Sequence, residues 1–247
     1  NKDLTLSPRI FFNDKFLIQS EYRQANKKSD FIVDHSIKYD NQNTITHFFS
    51  NFLSNSEKSN YEINLQTVSN RNYLKKYNIQ SDLVDNYSML NSFIDYENIS
   101  EKSSFTSSVE IFEDLTKQSS DSYEFVYPTF EYKNNLSTNL NGSLDLNISG
   151  YQKKYQTNRY DGVLINNLRF NSDKEITKKG FVNNYSILMK NVNSKGNNSS
   201  TFKEDYDNKF LSALILNNEY PLKKTNDLYT NFLTPKLSLR ISPTETK

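Results

Sequence analysis

The chain has 247 residues and a formal net charge of +1, from 30 basic and 29 acidic side chains spread along its length. That balance leaves no basic field of the kind nucleic acid requires, so no nucleic-acid partner is expected. Only 35% of residues are hydrophobic and the mean hydropathy is −0.79, yet aromatics reach 14%, with 17 Tyr and 17 Phe, too many for a disordered chain. Cysteine is absent, which excludes disulfides and thiolate metal sites. No run approaches the ~18 apolar residues of a membrane-spanning helix. Asn1 has no charged-then-apolar leader behind it, and Pro243 to Lys247 follow a strand with no closing element. The chain therefore reads as a piece cut from a longer one.

In chain order, Phe16, Ile18, Ser20 and Tyr22 oppose Leu17, Gln19, Glu21 and Arg23. Phe31, Val33, His35, Ile37 and Tyr39 then oppose Ile32, Asp34, Ser36 and Lys38, and Tyr61, Ile63 and Leu65 oppose Glu62, Asn64 and Gln66. Phe105 to Ile111 and Lys236 to Ser242 follow the same rule. The strictest case is LNGSLDLNISG, Leu140 to Gly150, with Leu144, Leu146 and Ile148 on one side and Ser143, Asp145 and Asn147 on the other. A period of two is the pattern of a half-buried β-strand, because successive side chains point to opposite faces. Less regular strands are expected at Thr44 to Leu53, Leu90 to Ile99, Tyr123 to Tyr132, Val163 to Phe170, Tyr185 to Met189 and Phe210 to Tyr220. Turn residues cluster at Asn13-Asp14, Asn26 to Asp30, Asp40 to Asn43, Ser54 to Ser59 and Asn134-Asn135. Two longer segments, Thr116 to Ser122 and Asn193 to Asn208, read as loops, the second wholly in water. The expected fold is all-β, a single antiparallel up-and-down meander of about a dozen strands.

The apolar faces could meet a protein core, as in a soluble sandwich, or lipid, as in a transmembrane barrel. Strand length favours lipid: several alternations run about ten residues, enough to cross a bilayer at a tilt, against five or six in soluble strands. Aromatics at Phe11-Phe12, Tyr39, Tyr132, Tyr151 and Tyr220 fall near strand ends, where barrels carry their girdles. No catalytic, cofactor-binding or metal-binding residue is expected. His35 and His47 lie on different strands with no third ligand in view, and the carboxylates read as solvated side chains. With five glycines there is no phosphate loop, and no nucleophile elbow is present. An enzyme is not expected.

The order of local signatures is more specific than the alternation. DLTLSPRIFFNDKFLIQSEYRQ (Asp3 to Gln24), HFFSNF (His47 to Phe52) and VSNRNYLKKYNI (Val68 to Ile79) come first. YEFVYPTFEYKNNL (Tyr123 to Leu136), the Gly142 strand, NEYPLKK (Asn218 to Lys224) and LTPKLSLRISP (Leu233 to Pro243) follow. Together these resemble the barrel of the outer-membrane lipopolysaccharide-assembly family, lipopolysaccharide transport protein D (LptD, or organic solvent tolerance proteins). The family pattern of an aspartate, Thr-x-x-Pro and a Glu-x-Arg strand falls here on Asp3, Thr5, Pro8, Glu21 and Arg23.

The resemblance implies a non-enzymatic translocon in the outer membrane of a Gram-negative bacterium, part of a large transmembrane β-barrel. Its partners would be lipopolysaccharide, outer-membrane lipid, a plug lipoprotein of the LptE type and a periplasmic bridge protein. Residues 1–247 would form one partial barrel domain, roughly its first half, without the periplasmic jellyroll and the closing strands. The cysteines that join jellyroll to barrel in better-known members are missing. Leu144, Leu146 and Ile148 would face lipid, and Glu21, Arg23, Glu62, Asp145, Asn147 and Arg240 the lumen. Pro8 would either loosen the pairing at the seam through which lipid leaves or merely start a strand. A porin-like channel and a soluble β-rich adhesin or scaffold are the alternatives.

Overall fold

The computed structural model describes residues 1–11, 15–40, 43–118, 120–156 and 158–243. The first strands are β1 (Lys2–Phe11), β2 (Lys15–Ala25), β3 (Ser29–Asp40), β4 (Asn43–Asn55) and β5 (Ser59–Val68), followed by one helical turn, α1 (Tyr73–Lys76). Next come β6 (Met89–Ile99), β7 (Ser103–Asp114), β8 (Tyr123–Leu136), β9 (Gly142–Tyr155) and β10 (Arg159–Ser172). The last are β11 (Glu175–Ile176), β12 (Val182–Asn197), β13 (Asp207–Glu219), β14 (Leu222–Thr225), β15 (Thr230–Leu233) and β16 (Lys236–Ile241). All but β14 and β15 belong to one 14-stranded antiparallel sheet, in which strands pair in chain order from β1 to β10 and then through β12, β13 and β16. The short β11 pairs only with β12, and β14 and β15 form a separate hairpin. The sheet is not closed: β1 and β16 are its two edges.

An antiparallel ladder sets cross-strand partners side by side on one face, so the register carries each face across the sheet. One row runs Leu136, Leu144, Phe170, Ile187, Leu214, Ile241 over β8 to β16. At the other end Leu4, Tyr22 and Val33 share that apolar face. The opposite face carries Thr5, Glu21 and Asp34 in one row and Ser7, Gln19, Ser36 and His47 in the next. Strands are long, 14 residues in β8, β9 and β10 and 16 in β12.

Several expected boundaries shift. Asn193 to Asn197 belong to β12 rather than to a loop, because their backbones pair with β10 and β13 although their side chains are polar. The connection there is 198–206. Asn134 and Asn135 lie inside β8, paired with Leu146 and Asp145, and the turn follows Leu136. Residues 115–122 do form a connection, with a 3₁₀ turn at Ser120–Ser122. The expected turns at Asn13-Asp14 and Asp40 to Asn43 fall wholly or partly outside the described residues, as do Phe12 and residues 244–247. Tight turns recur at the opposite end of the sheet, where the Asn26, Ser56 and Ser100 N–H groups donate to the carbonyls of Ser29, Ser59 and Ser103.

Two prolines sit where a missing N–H does least damage. Pro8 does not start a strand; it is seven residues into β1, paired with Ile18. Asn1 and Ala25 exchange both backbone bonds at 2.9 Å, so with an unbroken register the odd residues of β1 turn their N–H groups to β2 and the even ones to the free edge. Pro8 therefore removes a donor from the free edge and none from the β1–β2 ladder. Pro128 lies in the irregularity of β8, where the register shifts against both β7 and β9.

Gly150 is a packing glycine. A Cβ there would stand 2.7 Å from the Val163 carbonyl oxygen and 3.1 Å from the Phe130 ring, which lies over the glycine. Gly150→Val is expected to lower stability by about 1–3 kcal/mol, measured by urea unfolding of the chain folded in detergent or lipid.

Candidate functional site

Among the described residues, a buried apolar cluster forms on the polar face of β1 to β5 and reaches Leu90 of β6 and Leu115. Residues 69–88, between β5 and β6, fold back over it. Local chemistry shapes this segment. After α1, Asn78 takes a left-handed φ of 48°, the Asn78 N–H bonds the Lys75 carbonyl at 3.3 Å, and the Ile79 N–H bonds the Leu74 carbonyl at 2.9 Å. That is a Schellman stop, completed by its usual apolar contact, since Leu74 and Ile79 are each 1% exposed and lie in one cluster. The cluster joins them to Leu17, Phe49, Tyr73, Val84, Leu90 and Leu115. Each such buried aliphatic or aromatic side chain is worth about 1.5–3 kcal/mol, so the segment is held down mainly by apolar burial.

Polar side chains of the sheet then fix its position. Gln19 Nε2 donates to both Asp34 carboxylate oxygens at 3.0 Å and to the Gln80 carbonyl at 2.9 Å. Arg23 donates to Glu21 and to Asp82, both at 2.6 Å. Gln66 Nε2 donates to the Leu83 carbonyl at 2.6 Å, and Gln66 Oε1 accepts from the Asn91 N–H at 2.9 Å. The Lys38 ammonium, 2% exposed, lies 4.8 Å from the centre of the Tyr77 ring.

At the centre is a chain of four buried groups. His47 Nε2 is 3.2 Å from Asp34 Oδ1, His47 Nδ1 is 2.6 Å from Ser36 Oγ, and Ser36 Oγ is 2.8 Å from the Tyr73 hydroxyl. An ionised Asp34 only accepts, so it takes its bond from Nε2–H, while Nδ1 faces the Ser36 hydroxyl, which in turn meets the Tyr73 hydroxyl. Burial pushes the Tyr73 hydroxyl above the ordinary tyrosine pKa, which keeps it a donor at neutral pH. Asp, His and Ser in this order share the residue types of a hydrolytic triad, but with the ring nitrogens exchanged, since a triad turns Nε2 to the serine and Nδ1 to the carboxylate. Here, however, Asp34 and Ser36 have no exposed surface, His47 is 1% exposed, and the Ser36 oxygen is capped by Tyr73, so no substrate can reach the serine. The arrangement is a fastening.

The sequence-predicted residues divide by face. Glu21, Arg23, Glu62, Asp145, Asn147 and Arg240 all lie on the polar face, spread from β2 to β16 rather than gathered. Their neighbours differ: Glu62 accepts from Asn51 at 2.9 Å, Asp145 accepts from Asn135 at 2.8 Å, Asn147 donates to Glu131 at 3.0 Å, and Arg240 donates to Ser242 at 3.2 Å. Leu144, Leu146, Ile148 and Pro8 are on the other face. His35 pairs with Phe48 and His47 with Ser36, which sets the two histidines on opposite faces of adjacent strands, unable to share an ion. Among the described residues no group of three His, Asp or Glu could hold a metal.

Sequence reasoning missed the 69–88 segment and misjudged Asp34, taken as solvated. One signal was available: Tyr73, Leu74, Tyr77, Ile79, Leu83, Val84 and Tyr87 form an apolar set without period two in the longest interval between alternating runs. No protein-family model and no curated protein matches the chain. Among the described residues no helix is long and apolar enough to cross a membrane, which says nothing of strands.

Asp34→Ala leaves His47 and Gln19 without their shared acceptor. It is expected to cost ~1–3 kcal/mol and to open Lys75 and Lys76 to trypsin in limited proteolysis. Tyr73→Phe, which keeps the ring in the cluster, is expected to cost about 0.5–1.5 kcal/mol and to leave the protease pattern unchanged.

Proposed function

We propose that this chain is a section of wall from an outer-membrane β-barrel, and that the barrel is a translocon delivering lipopolysaccharide to the outer leaflet. The observation that carries the membrane reading is an inversion of the usual burial. Leu4, Leu6 and Ile10 on the apolar face are 60%, 61% and 90% exposed, and Phe16, Ile18, Ile37 and Tyr39 are also exposed. On the other face Asp34, Ser36, Lys38 and His47 are buried. A protein folded in water buries apolar groups and leaves charge outside; a bilayer reverses this for the outer side of a wall, whose strands must alternate apolar-out and polar-in. Strands of 10 to 16 residues in the main sheet's long members fit a tilted crossing of the hydrocarbon layer.

The cargo rests on the likeness of Asp3 to Gln24, Tyr123 to Leu136 and Leu233 to Pro243 to the lipopolysaccharide-assembly family. In this reading the polar face, with Glu21, Arg23, Glu62, Asp145, Asn147 and Arg240, borders a wet lumen suited to a sugar-phosphate head. Leu144, Leu146 and Ile148 touch lipid. Pro8, by taking one donor from the free edge of β1, weakens any pairing with a closing strand and marks β1 as the side of lateral exit. A plug lipoprotein of the LptE type and a periplasmic bridge protein would be its partners. A porin-like channel is the second reading, favoured by the 69–88 segment, which occupies the polar face as a constriction would; steady ion conductance without lipopolysaccharide export would select it.

Folding into lipid vesicles, followed by heat-modifiable gel mobility, tests the assignment of faces. Leu146→Arg is expected to cost ~2–4 kcal/mol near the bilayer midplane and Asn147→Arg much less. Leu146→Phe is expected to be nearly neutral, because fluid lipid accommodates a change of shape that a close-packed core resists. Equal damage from the two arginines, or loss of folding with Leu146→Phe, overturns the membrane wall.

A further inference from the structure

We propose that the 69–88 segment is a strap that holds only the far end of the edge strand, so that β1 can part from β2 below Pro8 and is stopped above it. The consequence for passage at β1 rests on the translocon reading; the strap itself does not.

The contacts divide β1 at the proline. Above it, Arg9 Nη1 donates to the Tyr77 carbonyl at 2.8 Å and the Asn78 carbonyl at 3.3 Å, and the Phe11 ring meets Tyr77 edge-on at 5.9 Å. These carbonyls lie just past the end of α1, where a helical turn leaves acceptors unpaired and favours a cation. Below Pro8, the side chains of Asp3, Thr5 and Ser7 sit on the same face as Arg9 but bond to no described residue. That part of β1 is held by the β2 ladder alone, with its other edge free.

The strap can act as a stop because its other attachments do not involve β1. The Asp34–His47–Ser36–Tyr73 chain ties it to β3 and β4, and Gln66 ties it to β5. Gln66 also closes the junction with β6. There the backbone ladder ends at Asn64–Phe93, and the Gln66 N–H instead bonds Ser92 Oγ at 2.9 Å. Arg9 thus links the edge strand to a segment anchored on β2 to β5.

Residue-resolved hydrogen exchange on the full chain folded in detergent micelles tests this. The N–H groups of Asp3, Thr5, Ser7, Arg9 and Phe11 all point to β2 and are comparable. The first three are expected to exchange ~10-fold faster than the last two. Arg9→Ala is expected to bring position 9 and Phe11 to the faster rate while β12 and β13 stay unchanged. Should Arg9→Ala fail to fold, Tyr77→Leu removes the ring contact and keeps both carbonyls; it is expected to speed Phe11 alone. Equal rates along β1 in the unaltered chain, or an unchanged Phe11 rate in either variant that folds, overturns the strap. The pattern is read without lipid or cargo, so it can fail while the Leu146 and Asn147 comparison succeeds, and the reverse.

Discussion

The hydrogen-bonded register of the antiparallel ladder is the constraint on which the rest of the molecule depends. Side chains alternate with a period of two, so a slip of one residue at any pairing would carry Leu144, Leu146 and Ile148 to the face that holds Asp145 and Asn147. The register is continuous across most of the path, and its main irregularity, around Pro128, restores the alternation on its far side. One side of the sheet stays apolar from Leu4 to Ile241 as a result, and the other stays rich in charge and amide groups. On the membrane reading proposed above, a surface so divided has two different solvents to satisfy.

On the polar side, β1 to β5 solve the problem locally. The 69–88 segment covers buried Asp34, Ser36, Lys38 and His47; it brings the Tyr73 hydroxyl to Ser36 and the Tyr77 ring to Lys38, and the Gln80 carbonyl to Gln19, which itself bonds Asp34. Groups that would be costly to bury alone become tolerable when each has a partner. The same contacts brace this part of the sheet, with an apolar cluster beneath the segment giving it most of its adhesion. Beside it, across β5 to β8, Glu62, Asp95, Glu97, Glu110 and Glu131 line an open groove of about 740 Å³.

What the sequence could convey follows from the range of the forces involved. The alternation in Leu140 to Gly150 is local, and it yields β9 apart from the first two residues, which the turn takes. Asn193 to Asn197 gave no local sign of a strand, because their place in β12 comes from partners in β10 and β13 rather than from side-chain pattern. The polar side of β3 was legible, yet the burial of Asp34 and Ser36 was not. It depends on Tyr73 and Gln80, about forty residues away along the chain, and a period of two carries no information about what lies over a face. Pro8 was legible as a ladder defect, and only the register showed that the defect falls on the open edge.

The chain contains no tryptophan, so a single one reports on its surroundings without background. The most direct measurement is a scan of single tryptophans through positions 144 to 149 in the complete protein folded into vesicles, quenched from the lipid by brominated acyl chains and from water by acrylamide. The account requires quenching by brominated lipid at 144, 146 and 148 and by acrylamide at 145, 147 and 149. Quenching by brominated lipid that fails to alternate, or its absence at Leu146 and Ile148 in a chain that has folded, would contradict it.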